Sequence, residues 1–190
     1  MPGLPRSVLL DTPLQTDPRG RWVRWDHTTK EDSELALKVE DFEPLEYPAG
    51  IEAARWLKED ALENDGMSKT RLLMTDERVE GFISMCFGTV ELTGGGKKRL
   101  PVTRRLQRTQ APAFIVCWVA RHRDSPIPGM QLMLTAVGLA REAKHLGGLV
   151  ALALDPHDDE VAMMWQNQPW YFRKCRERED GRPARLYLPI

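Results

Sequence analysis

One stretch of the chain combines residues able to hold an anion with a spacing that presents them together. The apolar run Phe114-Ile115-Val116-Cys117-Trp118-Val119 leads through Ala120-Arg121-His122-Arg123 to Pro128-Gly129, where a helical pattern opens. The first N–H groups of a helix lack partners within it and carry the positive end of its dipole. Those of Gly129, Met130, Gln131 and Leu132 are therefore expected to converge beyond the helix start, a place suited to a pyrophosphate. Gly129 has no side chain to keep a phosphate from the backbone. Pro128 pre-sets the turn, and Arg121 and Arg123 supply positive charge. A plain strand–loop–helix connection without a ligand is the competing reading of the same residues.

Other reactive residue types are scattered. Cys86 and Cys117 lie in apolar runs and read as buried thiols; with Cys175 they form no Cys-x-x-Cys pair, and the four histidines are dispersed, so no metal site is expected. His122 and His157 fall in loops near the proposed cleft and read as surface histidines. Gly94-Gly95-Gly96-Lys97-Lys98-Arg99 follows a strand without opening a helix and lacks the Lys-Ser/Thr of a nucleotide-binding loop. It reads as a hairpin loop whose charges, like those of Arg104, Arg105 and Arg108, are solvated.

The chain has 190 residues, 42% of them hydrophobic, which fits one domain with a core of its own. Its 27 Lys and Arg nearly cancel 28 Asp and Glu, so net charge gives no reason to expect a nucleic-acid partner. The first residues lack the apolar stretch of a signal peptide, and no run has the length of a membrane span. A reducing, cytoplasmic setting and no membrane partner are the expectations.

The elements that must position the site follow from periodicity. Residues 1–33 read as an irregular arm with one strand candidate, Arg21–Trp25, whose two tryptophans call for packing on the domain or on a partner. The domain itself spans 34–190. Leu35, Leu37 and Val39 alternate as in a strand. Ile51–Leu62 has helical spacing, Thr70–Thr75 and Val79–Leu92 form a hairpin about Asp76-Glu77-Arg78, and Ala113–Ala120 is a central strand covered on both faces. Met130–Leu146 is a long helix stopped by Gly147-Gly148, Leu149–Leu154 a buried strand, Glu160–Asn167 a short helix capped by Asp158 or Asp159, and Arg185–Ile190 a last strand. The fold class is α/β (α+β).

In this order the chain resembles the GNAT superfamily of N-acetyltransferases, and most closely the GNAT toxins of toxin–antitoxin modules. Arg55-Trp56-Leu57-x-x-x-Ala61 is similar to that branch's first helix. Arg78-Val79-Glu80-Gly81-Phe82-Ile83 with Gly88-Thr89-Val90-Glu91 resembles its second hairpin strand, and Arg185-Leu186-Tyr187-Leu188-Pro189-Ile190 its last strand. The resemblance implies a mixed twisted sheet of about six or seven strands flanked by helices, and acetyl-CoA or another acyl-CoA as co-substrate. It places pantetheine along Trp118, Val119 and Arg121, and the pyrophosphate at Arg123, Pro128, Gly129, Met130, Gln131 and Leu132. Implied partners are an amine acceptor, including the amino group of an aminoacyl-tRNA, an antitoxin and a second copy of the chain.

Two departures from the family pattern stand out. Gln131 occupies a position where a second small residue is usual in the phosphate loop, and Pro128 and Met130 flank the glycine. The family's tyrosine, which protonates the leaving CoA thiolate, aligns with Trp165 or Asn167 according to register; Tyr171 is the nearby phenol able to serve. Glu80 and Glu91 are the strand carboxylates considered as a base, and both read as solvated charges. An acyl-CoA-dependent N-acyltransferase is the leading expectation; a catalytically impaired GNAT-fold module that binds CoA or a protein is the alternative.

Overall fold

The computed structural model describes residues 20–92, 110–167, 169–178 and 181–190. Gly94–Arg99, Arg104, Arg105 and Arg108 lie outside them, as does most of the stretch read as an arm. The described elements are β1 (Arg21–Trp25), α1 (Ser33–Glu40), α2 (Pro48–Glu59), β2 (Lys69–Met74), β3 (Val79–Glu91), β4 (Gln110–Arg121), α3 (Gly129–Gly147), β5 (Ala151–Leu154), α4 (Asp159–Gln166), β6 (Arg173–Lys174) and β7 (Leu186–Pro189). A short 3-10 turn, Thr29–Glu31, precedes α1.

The segment read as a strand from Leu35, Leu37 and Val39 is α1. The Asp32 carboxylate caps it, accepting the N–H groups of Glu34 (3.1 Å) and Leu35 (3.2 Å). Leu35 and Val39, four residues apart, point inward, whereas Leu37 is exposed. Lys38 closes an i,i+4 ion pair with Glu34 at 2.7 Å. The alternation was therefore a coincidence of one exposed leucine between two buried positions of a helix face.

The strands form one sheet in the order β1-β2-β3-β4-β5-β7-β6. Arg21–Trp25 pairs in full with β2, so the tryptophan-bearing segment is an edge strand, with Trp25 buried. The β4–β5 pair is parallel, as the α3 crossover requires. Its neighbours on either side are antiparallel.

Helices cover both faces. Leu35, Val39, Phe42, Ala54, Trp56 and Leu57 pack with Leu72 and Phe82 on one face. Met133, Ala136, Val137 and Ala140 of α3 pack with Ile83, Val116, Leu152 and Leu186 on the other. Gly148 ends α3 in the left-handed region (φ 67°), its N–H donating to the Lys144 carbonyl at 3.0 Å. Asp158 caps α4 through Val161 N–H at 2.8 Å.

Gly81 sets how closely β3 approaches the end of β4 and the first turn of α3. A Cβ there would meet the Ala120 carbonyl oxygen at 2.9 Å and Leu132 Cδ1 at 3.0 Å. The backbone oxygen cannot step aside as a side chain does. Gly81→Val should therefore destabilise the fold by about 1–3 kcal/mol, the range for overpacking, and shift the start of α3; chemical denaturation checks this.

Candidate functional site

The site begins where β4 outruns its neighbour. β4 pairs with β5 only over Ala113–Val116, against Ala151–Leu154. The other edge of β4 stays paired with β3 as far as Arg121 opposite Gly81. From Cys117 to Arg121, no strand among the described residues pairs with the β5-side edge of β4. A β-bulge adds to this opening: Ser84 pairs with Trp118 and Met85 with Val116, which leaves Cys117 as the extra residue. The result is a cleft with its apex at Cys117 on β4 and Asp155 just past β5.

Aromatic packing holds the open segment in place. Trp118 stacks on Trp56 of α2 with ring centroids 5.6 Å apart, and Trp56 stacks on Phe82 at 6.3 Å. On the opposite face Val119 packs against the cluster of Leu73, Ile127 and Leu132, which joins the strand to the first turn of α3.

The helix start faces outward. Pro128, Gly129 and Met130 are exposed, and Gln131 is half-buried. A Cβ on Gly129 would meet no atom within 4 Å. The Gln131 N–H donates to the Pro128 carbonyl at 2.9 Å, so the first turn uses this group internally. Gly129 and Met130 carry the N–H groups that the geometry of a helix start leaves for a ligand. Leu132 is buried and anchors the turn.

The two arginines differ in their surroundings. Arg121 Nη1 donates to the Ser125 carbonyl at 2.6 Å, bracing the loop between β4 and α3. Arg123 is held by Glu43 at 2.5 Å and Glu46 at 3.1 Å, and its N–H donates to the Glu43 carbonyl at 2.9 Å. It thereby ties the loop after α1 to the mouth of the cleft.

His122 and Glu80 are not the surface groups their sequence context suggests. His122 is 6% exposed, its Nδ1 accepts the Asp124 N–H at 3.1 Å, and its backbone N–H donates to the Glu80 carbonyl. Burial lowers its pKa below the ordinary 6.5, and the nearby Arg78 adds to the effect against the opposing pull of Asp124, Glu80 and Glu43. The unfolded chain thus binds the proton more readily than the folded one. Stability should fall as pH drops through about 6.5 and below. His122→Gln should flatten the acid limb of a plot of Tm against pH.

Glu80, 3% exposed, accepts from Arg78 Nε at 3.2 Å and Thr75 Oγ1 at 3.1 Å. It is a buried strut between hairpin and loop. Glu91 is an exposed strand carboxylate paired with Arg176 at 3.0 Å. His157 is exposed, 3.9 Å from Glu52.

The segment after α4 divides sharply. Trp165, Trp170 and Phe172 form an aromatic cluster with centroid separations of 5.9 and 6.0 Å. Tyr171 instead turns outward: it is 46% exposed and has a left-handed backbone (φ 53°). Its N–H donates to the Asn167 carbonyl at 3.0 Å. A bulky residue held in that region signals a position fixed by its neighbours.

Two groups near the apex carry no periodic signal in the sequence. Arg185 binds Asp155 with two bonds of 2.8 and 2.6 Å and also donates to the Thr89 carbonyl. The Asp155 bond raises the Arg185 pKa further above its ordinary value. Cys117 is exposed and Cys86 half-buried, in contrast to the buried thiols expected; only Cys175 is buried. Their apolar runs are strands with one face toward the open side of the sheet. Among the described residues no group of His, Cys, Asp and Glu is arranged to hold a metal ion, and no helix is long and apolar enough to cross a membrane.

A seven-stranded sheet in this order, opened between β4 and β5 and crossed by a helix whose start faces the opening, is a GNAT-like fold. Solved GNAT-fold toxins are its structural neighbours. AtaT complexed with acetyl-methionyl-tRNAfMet matches with a TM-score of 0.61 and 14% identity, over 80% of this chain and 86% of that one. A KacT mutant matches with a TM-score of 0.61 and 13% identity, over 89% and 95%. AtaTR bound with AcCoA matches with a TM-score of 0.59 and 14% identity, over 90% and 94%. No family model and no curated protein sequence matches the chain.

Proposed function

We propose that this protein is an acyl-CoA-dependent N-acyltransferase that moves an acetyl group from acetyl-CoA to a primary amine. The observation that carries the reading is the open edge of β4 from Cys117 to Arg121, leading to an outward-facing helix start with clear space at Gly129. An unpaired strand edge offers N–H and C=O groups to the amides of pantetheine, as another strand would. The helix start offers N–H groups and dipole charge to the pyrophosphate. Trp118, Val119 and Arg121 lie along the first part of this path, and Arg123, Pro128, Gly129, Met130, Gln131 and Leu132 at its end. Space beside Gly129 fits a phosphate that a side chain would displace.

In the reaction the amine nitrogen attacks the thioester carbonyl, the C–S bond breaks and the amine proton leaves as the amide forms. The chain's contribution is to hold the two reactants in line, which is where most of the rate would arise. An α-amine, with an ordinary pKa near 8, needs little help in losing its proton. Tyr171, exposed after α4, is the phenol we assign to protonating the departing thiolate. Tyr171→Phe is expected to lower kcat by about a hundredfold with little change in acetyl-CoA affinity, read by steady-state release of CoA.

The likeness to AtaT complexed with acetyl-methionyl-tRNAfMet favours the amino group of an aminoacyl-tRNA as acceptor, and with it a cytoplasmic setting. A neighbour bound to an antitoxin's C-terminus favours a comparable protein partner here. Acetyl-CoA should raise the Tm of the protein at millimolar concentration through mass action; no shift would remove the reading. A second reading, a CoA-binding module without turnover, draws on the half-buried Trp165 packing against the core, an indole that offers no acid. Binding without CoA release across amine acceptors, including methionyl-tRNA, would favour it.

A further inference from the structure

The apex of the cleft holds a pair of thiols with no part in the reaction described above. Cys117 Sγ lies 3.3 Å from Cys86 Sγ, across the β3–β4 ladder. Cys117 is the bulged residue, free of a ladder partner, and it is the first residue of β4 beyond the pairing with β5. Cys117 is exposed and Cys86 is half-buried, so a small reagent can reach the pair. Cys175, by contrast, is 5% exposed.

We propose that Cys86 and Cys117 are a modification site, a dithiol that closes to a reversible disulfide on reaction with low-molecular-weight disulfides and in doing so weakens binding of acyl-CoA in the adjoining cleft. The second half rests on the acyl-CoA reading above. Bond formation requires the sulfurs to approach from 3.3 Å to about 2.05 Å. A bulged residue has slack for this movement, because no ladder bond holds it in register. Closure draws Cys117 toward β3 and away from the edge that faces β5, where pantetheine is proposed to pair. It also constrains Trp118, whose ring packs on Trp56.

The chemistry balances with a disulfide RSSR as oxidant. One thiolate of the pair attacks one sulfur of RSSR and expels RS⁻, which takes up a proton. The other thiol, losing its proton, then attacks the protein sulfur of the mixed disulfide, the new Cys86–Cys117 bond forms and a second RS⁻ leaves and is protonated. Two protein thiols lose two electrons and two protons, and RSSR becomes two RSH. Partial burial, followed by the contact with Cys86, pushes the Cys117 thiol up to about 12. The closeness of the two sulfurs compensates for a low thiolate content, whichever of them opens the exchange.

The test treats the full-length protein with oxidised glutathione and follows it by intact mass and peptide mapping. The expected product is lighter than the reduced protein by two hydrogens, carries a Cys86–Cys117 cross-link and reverts with dithiothreitol. Calorimetric titration with acetyl-CoA should show about tenfold weaker binding after oxidation, the scale of one hydrogen bond lost. The Cys86→Ser/Cys117→Ser double variant, with no thiol left at the apex, should bind acetyl-CoA equally well before and after the treatment, and Cys175→Ser should still form the link. A persistent glutathione adduct without a cross-link, or a cross-linked protein that binds acetyl-CoA as tightly as the reduced one, would overturn the proposal. If the reduced protein fails to bind acetyl-CoA, the acyl-CoA reading and the regulatory half fall together; mass and mapping judge the cross-link in either case.

Discussion

Gly129→Glu is expected to abolish the thermal shift produced by acetyl-CoA while leaving the Tm of the free protein nearly unchanged. The two halves of this prediction have separate physical origins. A side chain at position 129 meets nothing within 4 Å, and the backbone there does not require glycine. A glutamate in the first turn of α3 also complements the helix dipole, a gain of about 0.3–1 kcal/mol. The fold should therefore accept the substitution. The bound pyrophosphate should not, because the carboxylate would occupy its space and repel its charge. For wild type at a ligand concentration a hundred times Kd, mass action contributes about 2.7 kcal/mol. In a protein of this size that is a shift of roughly 5–10 °C. An equal shift in Gly129→Glu would place acetyl-CoA elsewhere.

Trp56→Ala should have the largest effect on stability. Trp56 is 9% exposed and stacks between Phe82 at 6.3 Å and Trp118 at 5.6 Å. Removing its indole leaves a large cavity between α2 and the sheet, costing about 3–5 kcal/mol. That corresponds to a fall in Tm on the order of 10 °C. The same change deprives Trp118 of its partner, just where β4 has lost the support of β5. Acetyl-CoA affinity should consequently fall as well, measured at a temperature where the variant remains folded. Trp56→Phe keeps a ring in the stack and should recover much of both losses. Full stability in Trp56→Ala would contradict the packing described here.

The parts legible in the sequence were those in which one element decides the pattern. The apolar run from Phe114 to Val119 announces a central strand, although Cys117 within it is exposed and Phe114, Trp118 and Val119 are only half-buried, and the spacing of Leu132, Met133, Ala136, Val137 and Ala140 announces α3. Pro128-Gly129 marks the junction between them, so the candidate site was visible before the fold was. Leu35, Leu37 and Val39 misled because two buried residues four apart and one exposed residue between them mimic alternation; Asp32 as a cap was the signal that separates the two. Contacts that depend on the sheet order left no local trace. Asp155 meets Arg185 only because β5 and β7 are neighbours, and Cys86 meets Cys117 only because a bulge shifts the β3–β4 register. Glu80 and His122 appear solvated in a linear reading, since burial comes from α1, the hairpin and the loop closing over them together.

In the function proposed above, the β4–β5 cleft delivers an acetyl group to an amine. The direct measurement is transfer of radiolabelled acetyl from acetyl-CoA to methionyl-tRNA and to a panel of small amines and peptides, with thiol release followed in parallel. The expected result is labelled N-acetyl product together with stoichiometric CoA, both lost in Gly129→Glu. Tight acetyl-CoA binding with neither product nor CoA release from any acceptor would contradict it.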